Sequence, residues 1–175
     1  MRAHLQATIG KARHGNMEQL ADFVGRAGSL EPAAAGAAAE RAMAIIEGIP
    51  DLLEAVAEAS YRRGIALLVQ PLLDHAESYF LDPSDHAPEA AYGVAGLLDD
   101  AYLALSLVNL VHETYEPLVP GDVTSQLHFL RSLLGADLVA DLDAETGRAL
   151  VKLARTVSTL RDTSRLDVPF VIPRR

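Results

Sequence analysis

The chain has 175 residues, half of them hydrophobic, and its 15 basic and 24 acidic residues give a formal charge of −9. This length and apolar content predict a folded domain with a substantial core rather than a disordered chain. The acidic balance argues against nucleic acid as a partner and disfavours an anionic membrane surface, because both are bound by lysine and arginine.

The sequence contains no cysteine, so disulfides, thiolate catalysis and cysteine-ligated metal sites are excluded. Residues 1–16 lack the apolar segment of a secretory signal. The longest apolar run, 101–111, is interrupted by Ser106 and Asn109 and is shorter than the roughly 20 residues that span a membrane. We therefore expect a cytoplasmic protein without a transmembrane segment.

Three helices are predicted before residue 50. The first covers 1–14, and Gly15 and Asn16 are expected to end it and to cap the second, which ends at Gly28. The third, 30–48, is rich in alanine. Its small side chains should let a neighbouring helix approach closely.

Pro50 is predicted to open the longest helix, which should reach Phe80 and be kinked or divided at Pro71. Glu54, Glu58 and Arg62 are typical of a solvated helix face. The opposite, inward stripe is expected to hold Leu52, Val56, Ser60, Arg63 and Leu67.

An acidic turn at 82–89 precedes an apolar helix predicted at 97–115. Asp82 is expected to cap one short helical turn. One stripe of the apolar helix is polar and consists of Asp99, Tyr102, Ser106, Asn109 and Glu113.

The C-terminal part predicts two further helices. Asp122 should cap the first, which Gly135 ends, and Asp143 should cap the second, which runs from 144 to about 161. The sequence thus predicts an all-α, single-domain helical bundle of about six to seven helices at 1–163. An extended tail, 164–175, should follow, because Pro169 and Pro173 restrict it.

The acidic turn and the start of the apolar helix form one motif, a Pro-x-Asp-x-x-Pro-Glu turn, then a glycine and an Asp-Asp pair. Its residues are, in order, Pro83, Asp85, Pro88, Glu89, Gly96, Asp99 and Asp100. Through this motif residues 79–113 resemble the YkvA-like family, a helical domain of unknown function, whose motif is a Pro-x-Asp-x-x-Pro-Asp turn, a glycine and an apolar helix that opens with Asp-Asp. Glu89 stands where the family has aspartate, and a proline that commonly follows is absent. The resemblance implies a helical core at about 50–117 and, in some relatives, membrane proximity, but no established activity.

The carboxylates around this motif allow two interpretations. Clustered oxygen ligands suit Mg²⁺, Mn²⁺ or Ca²⁺ and can support phosphoester hydrolysis, with Asp85, Glu89, Asp99 and Asp100 as candidate ligands. Alternatively, these residues cap helices or stabilise helix N-termini, with no cofactor bound. We favour the second interpretation.

Other catalytic signatures are missing from the sequence. There is no GxSxG elbow, P-loop or dinucleotide fingerprint. His75, His86 and His112 lack the helical partners of di-iron bundles, so we expect no ligand role for them. The aromatic residues of this region should be core residues with any hydroxyl at the surface, rather than a pocket lining, and they are Tyr79, Phe80, Tyr92, Tyr102 and Tyr115.

A structural latch is predicted around Asp100. It aligns with the apolar face of its helix, so we expect it to be more buried than Asp99 and to be met by Arg63 or by backbone N–H groups of the acidic turn. The latch would then consist of Arg63, Asp82, Asp85 and Asp100.

The sequence has no catalytic motif, no basic surface and no cofactor fingerprint. Together these three absences favour a non-enzymatic helical domain that binds a protein partner or a second copy of itself. Phe170, Val171 and Ile172 of the tail are predicted to be its apolar anchors. The alternatives are a divalent-metal hydrolase that uses the acidic cluster and, from the resemblance alone, a peripheral membrane factor.

Overall fold

The computed structural model describes residues 2–13, 17–81 and 93–164, which form helices and connecting turns without a strand. The all-α prediction is therefore confirmed. The helices are α1 Arg2–Arg13, α2 Met17–Gly28, α3 Pro32–Arg62, α4 Ala66–Phe80, α5 Leu97–Tyr115, α6 Val123–Leu133 and α7 Ala136–Ser164, with a 3₁₀ turn at Gly93–Gly96 before α5. The predictions for residues 14–16, 82–92 and 165–175 lie outside the described residues.

α5 is the central helix, with the bounds that its apolar pattern predicts. Every residue from Leu97 to Val108 is buried, because α3, α4, α6 and α7 all pack against it. A helix that is predominantly apolar needs such surrounding helices to be stable in water. None of the described helices combines the length and apolarity that a membrane span requires.

The predicted helix start at Pro50 is wrong. α3 continues through Pro50, which is buried inside it. A proline within a helix costs about 3 kcal/mol through a lost hydrogen bond and a steric clash. Burial of Ile46, Ile49 and Leu53 on either side offsets this cost, since each such side chain contributes about 1.5–3 kcal/mol when fully buried. Similarly, Pro71 lies inside α4 and does not divide it.

The chain turns instead at Gly64, whose φ of +71° lies in the left-handed region. Two hydrogen bonds end α3 there: Ile65 N–H donates to Ser60 O at 3.0 Å, and Gly64 N–H donates to Tyr61 O at 3.0 Å. This is a Schellman motif, in which glycine takes the position that L-residues avoid. The turn between α3 and α4 is therefore defined by backbone chemistry.

The alanine-rich part of α3 does allow a close approach, as predicted. A Cβ atom added at Gly25 of α2 would lie 3.1 Å from Cβ of Ala35. α2 consequently packs closely on α3, and its Leu20 and Val24 are fully buried.

At the C-terminal side, one predicted cap is confirmed and the other is wrong. The Asp122 carboxylate caps α6 by accepting from Ser125 N–H at 2.9 Å. Asp143 caps nothing, because α7 already begins at Ala136 and carries Asp143 in its interior. The buried Val139 and Leu142 precede Asp143 on the inward face of the same helix.

Candidate functional site

A polar cluster, here called the tyrosine clasp, joins α5, α6 and α7 through Tyr102, Arg131 and Asp143. The hydroxyl of the fully buried Tyr102 donates to Asp143 Oδ1 at 2.8 Å and accepts from Arg131 Nη2 at 2.7 Å and Nε at 3.0 Å. Arg131 Nη2 also lies 2.5 Å from Asp143 Oδ2. Each member contacts the other two, so the buried Tyr102 hydroxyl has both a donor and an acceptor partner.

The electrostatics of the clasp keep the phenol neutral and the guanidinium charged. Burial, then the hydrogen bond to Asp143, raises the pKa of Tyr102 above its usual value, and the Arg131 charge opposes this only in part. The hydrogen bond from Arg131 to Tyr102 is the main reason why the Arg131 pKa is raised. A neutral phenol between a fixed ion pair suits a structural role better than proton transfer.

Asp99 and Asp100 are both buried, with relative exposures of 0% and 1%. The prediction that Asp100 is the more buried of the two is therefore wrong. The helical spacing assigned Asp99 to a polar stripe, but α5 has no solvated face along its first turns, so residues on that stripe are buried as well. Each carboxyl group takes part in at least one hydrogen bond or other polar interaction, as a buried polar group requires.

Arg63 is not the cation of the predicted latch. It is exposed at the C-terminal end of α3, and its Nη2 donates to the Pro117 carbonyl at 3.3 Å. The inward stripe assumed a helix running on past Arg63, whereas the turn at Gly64 directs Arg63 outward. The other latch residues, Asp82 and Asp85, lie outside the described residues.

The described part of the chain does not bring the candidate metal ligands together. Its candidates Asp85 and Glu89 lie outside that part, and Asp99 and Asp100 are successive residues about 100° apart around α5. Within residues 2–13, 17–81 and 93–164, no three histidine, aspartate or glutamate side chains are grouped for a metal ion. The metal site stays a prediction.

A pocket of about 440 Å³ opens between α4 and α7. It is hereafter the α4–α7 pocket, and it is lined by Pro71, Leu72, Asp74, His75, Ser78, Glu145, Arg148, Ala149, Lys152 and Leu153. The buried Leu72, Ala149 and Leu153 form its apolar floor. Apolar floors with a few convergent polar groups are typical of small-molecule sites.

Glu145 organises the polar side of this pocket. Its Oε1 lies 3.0 Å from His75 Nε2, and its Oε2 accepts from Arg148 Nε at 2.7 Å and from Arg148 Nη2. Asp74 Oδ1 accepts from Gln70 Nε2 at 2.7 Å. His75, expected to lie on a helix surface without a role, is thus held against a second helix.

A second polar region lies at the end of α5. Its His112 Nε2 and Tyr115 hydroxyl are buried without a hydrogen bond among the described residues. Burial, then the nearby Arg63 charge, lowers the pKa of His112, and burial raises that of Tyr115. The prediction of surface hydroxyls is therefore wrong for Tyr115 and for Tyr102, while His86 and Tyr92 lie outside the described residues.

Two large apolar side chains are exposed on either side of the turn between α3 and α4. Tyr61 is 80% exposed and Leu67 is 75% exposed. Residues Tyr61 to Leu67 are hereafter the α3–α4 corner, and both Arg62 and Arg63 lie within it. The predicted tail anchors Phe170, Val171 and Ile172 lie outside the described residues.

The sequence did contain a signal for the clasp. Leu142, Thr146, Ala149 and Leu153 follow one helical spacing that passes through residue 143. That pattern places Asp143 within a helix and leaves its carboxylate available to a neighbour. The contact from His75 to Glu145 spans 70 positions, and no local pattern indicates it.

Comparisons of the chain with family models, with curated proteins and with solved structures gave no match.

Proposed function

We propose that the chain is a non-enzymatic helical domain that binds a protein partner through the α3–α4 corner. The observation that carries the proposal is the 80% exposure of Tyr61 beside the 75% exposure of Leu67. Single exposed apolar residues are ordinary. Here an aromatic and an aliphatic side chain flank two arginines, and tyrosine and arginine are enriched among the residues that dominate binding energies.

The α3–α4 corner is preorganised by intramolecular hydrogen bonds. Gly64 and the two Schellman hydrogen bonds define its backbone, and the hydrogen bond from Arg63 to Pro117 O ties it to the segment between α5 and α6. A preorganised surface loses less entropy on binding. This rigidity supports a docking role.

The charge of the corner indicates the chemistry of the partner. Arg62 and Arg63 form a basic surface in a chain of net charge −9. The Arg62 contact with Glu58 is 3.5 Å long, and the two side chains are 68% and 66% exposed. Exposed pairs of this kind contribute little, so Arg62 can exchange Glu58 for an acidic group of a partner.

We also propose kinship with the YkvA-like family. The fold near the motif supports it, since Gly96 directly precedes α5 and Asp99 and Asp100 lie in its first turn. A second contact is proposed for the tail, where Phe170, Val171 and Ile172 are the anchors. Removing all residues after Thr163 should then weaken self-association or stability in light scattering and thermal melting.

A cytoplasmic location is proposed on composition alone, with peripheral membrane contact as the alternative. Flotation with liposomes separates the two. The peripheral alternative predicts that the chain floats with the vesicles, and a cytoplasmic binding domain predicts that it stays in the soluble fraction.

Photocrosslinking tests the corner directly. A benzoylphenylalanine at position 61 of the full chain should give a discrete protein adduct in living cells, and the same group at position 155, an exposed site on α7, should not. An adduct of twice 18.7 kDa would identify a second copy as the partner. Equal yields at both positions, or no adduct at position 61, would contradict the proposal.

A further inference from the structure

The α4–α7 pocket is a site of a different kind from the α3–α4 corner, because it is concave and about 440 Å³ in volume. That volume falls within the roughly 300–1,000 Å³ of small-molecule sites. We propose that this pocket binds a small organic anion, namely a carboxylate or phosphate monoester on an apolar body.

Arg148 supplies a hydrogen-bond donor to the pocket that no described residue uses. Glu145 Oε2 accepts from Arg148, and Glu145 Oε1 lies 3.0 Å from His75 Nε2. Arg148 spends Nε and Nη2 on that contact, so its Nη1 has no partner among the described residues. A guanidinium has five N–H donors and no acceptor, and the remaining ones suit a planar carboxylate or a phosphate.

The charged side chains of the pocket favour a negatively charged ligand over a positively charged one. Lys152 lies one turn after Arg148 on α7 and lines the same pocket. Glu145 neutralises Arg148 in part, and its Oε2 already accepts from that residue, whereas Arg148 Nη1 has no partner among the described residues. An incoming anion finds this donor and the positive charge of Lys152, whereas each carboxylate that could bind a cation, Glu145 or Asp74, already accepts a hydrogen bond.

The apolar floor of the pocket suits a ligand with an apolar body. Leu72, Ala149 and Leu153 are buried beneath the polar rim, so they offer a short apolar chain a surface that inorganic phosphate cannot use. Burial of apolar area contributes about 25 cal/mol per Å². The arrangement therefore favours an amphipathic anion over a bare ion.

NMR titration of the full chain is the test. Hexanoate and hexyl phosphate should each shift amide resonances at residues 71–78 and 145–153 with saturation, at a Kd on the order of 1 mM. Hexan-1-ol and inorganic phosphate should each bind at least about tenfold more weakly. Either anion supports the site, and the tighter of the two identifies the head group.

Two variants and one control separate this site from nonspecific charge. Arg148→Gln should weaken binding at least about tenfold, because the exposed Arg148 supplies the head-group donors. Ser78→Trp at the exposed pocket rim should block binding without a change of charge. Arg155→Gln removes another exposed arginine of α7 that does not line the pocket, and it should leave the affinity unchanged.

Three results would overturn the proposal. They are an absence of saturable shifts with both anions, equal affinity for hexan-1-ol, and equal weakening by Arg148→Gln and Arg155→Gln.

Discussion

Tyr102 and Tyr115 of α5 both have a buried hydroxyl group, and the two hydroxyls differ in their hydrogen bonds. The Tyr102 hydroxyl is held by Arg131 and Asp143, and the Tyr115 hydroxyl has no partner in the described part of the chain. Each can be changed to phenylalanine with the ring kept in place. The pair therefore isolates the contribution of the clasp hydroxyl.

We expect Tyr102→Phe to lower the free energy of unfolding by about 1–2 kcal/mol, because hydrogen bonds to charged groups contribute on the order of 1.5–3 kcal/mol. Tyr115→Phe should be neutral or slightly stabilising, since it removes an unpaired buried hydroxyl. Urea unfolding with unchanged m-values measures both. Equal destabilisation by the two substitutions would show that the clasp contributes nothing specific.

His112 predicts how stability depends on pH. Burial lowers its pKa in the folded chain below the ordinary 6.5, so the unfolded state takes up a proton first as the pH falls. The contribution of His112 is thus present above pH 6.5 and is lost as the pH falls through the folded pKa. The NMR titration midpoint of His112 should lie below 6.5, and His112→Gln should flatten the stability profile in this window. The exposed His4 provides the control, and an equal flattening by His4→Gln would argue against the assignment.

At the scale of elements, Gly48 and Gly64 provide a matched test of the corner. A Cβ atom would meet no other atom within 4 Å at either position, but only Gly64 has a positive φ. We expect Gly64→Ala to cost about 1–2 kcal/mol of stability. Gly48→Ala within α3 should instead stabilise the protein by about 0.5–1 kcal/mol. Thermal or urea unfolding measures both, and an equal sign for the two changes would exclude the backbone explanation of the turn.

Local sequence patterns predicted which segments are helical better than they predicted where one helix gives way to the next. The α5 bounds and the Asp122 cap follow from apolar spacing and from one carboxylate. The helix starts predicted at Pro50 and Asp143 were wrong, although proline and aspartate often begin helices. Here both residues lie inside a helix, because apolar residues on either side of them are buried. Packing between distant segments decided these cases.

The same limit applies to the candidate site. The buried position of Asp99 follows from the helices that surround α5, and the surface position of Arg63 follows from the turn at Gly64. The contact between His75 and Glu145 exists only because α4 and α7 pack together. Sequence spacing describes one helix at a time, so it could identify the residue types but not their partners.

At the scale of the whole molecule, one central helix is surrounded by others, and the two surfaces proposed for binding lie on these outer helices. The clasp fastens α6 and α7 to α5. The α3–α4 corner and the α4–α7 pocket lie on surrounding helices, so substitutions at exposed positions there should change binding and leave the core intact. This separation makes surface variants suitable tests of function.

The mass of the native assembly tests the protein-binding proposal most directly. In gently prepared native extract, size-exclusion chromatography with immunodetection should place the wild-type chain in a complex larger than the 18.7 kDa monomer. The combined change Tyr61→Ser and Leu67→Ser should shift it to the monomer position, and Val151→Ser, at another exposed apolar residue, should not. Elution of all three proteins at the same position would contradict binding through the α3–α4 corner.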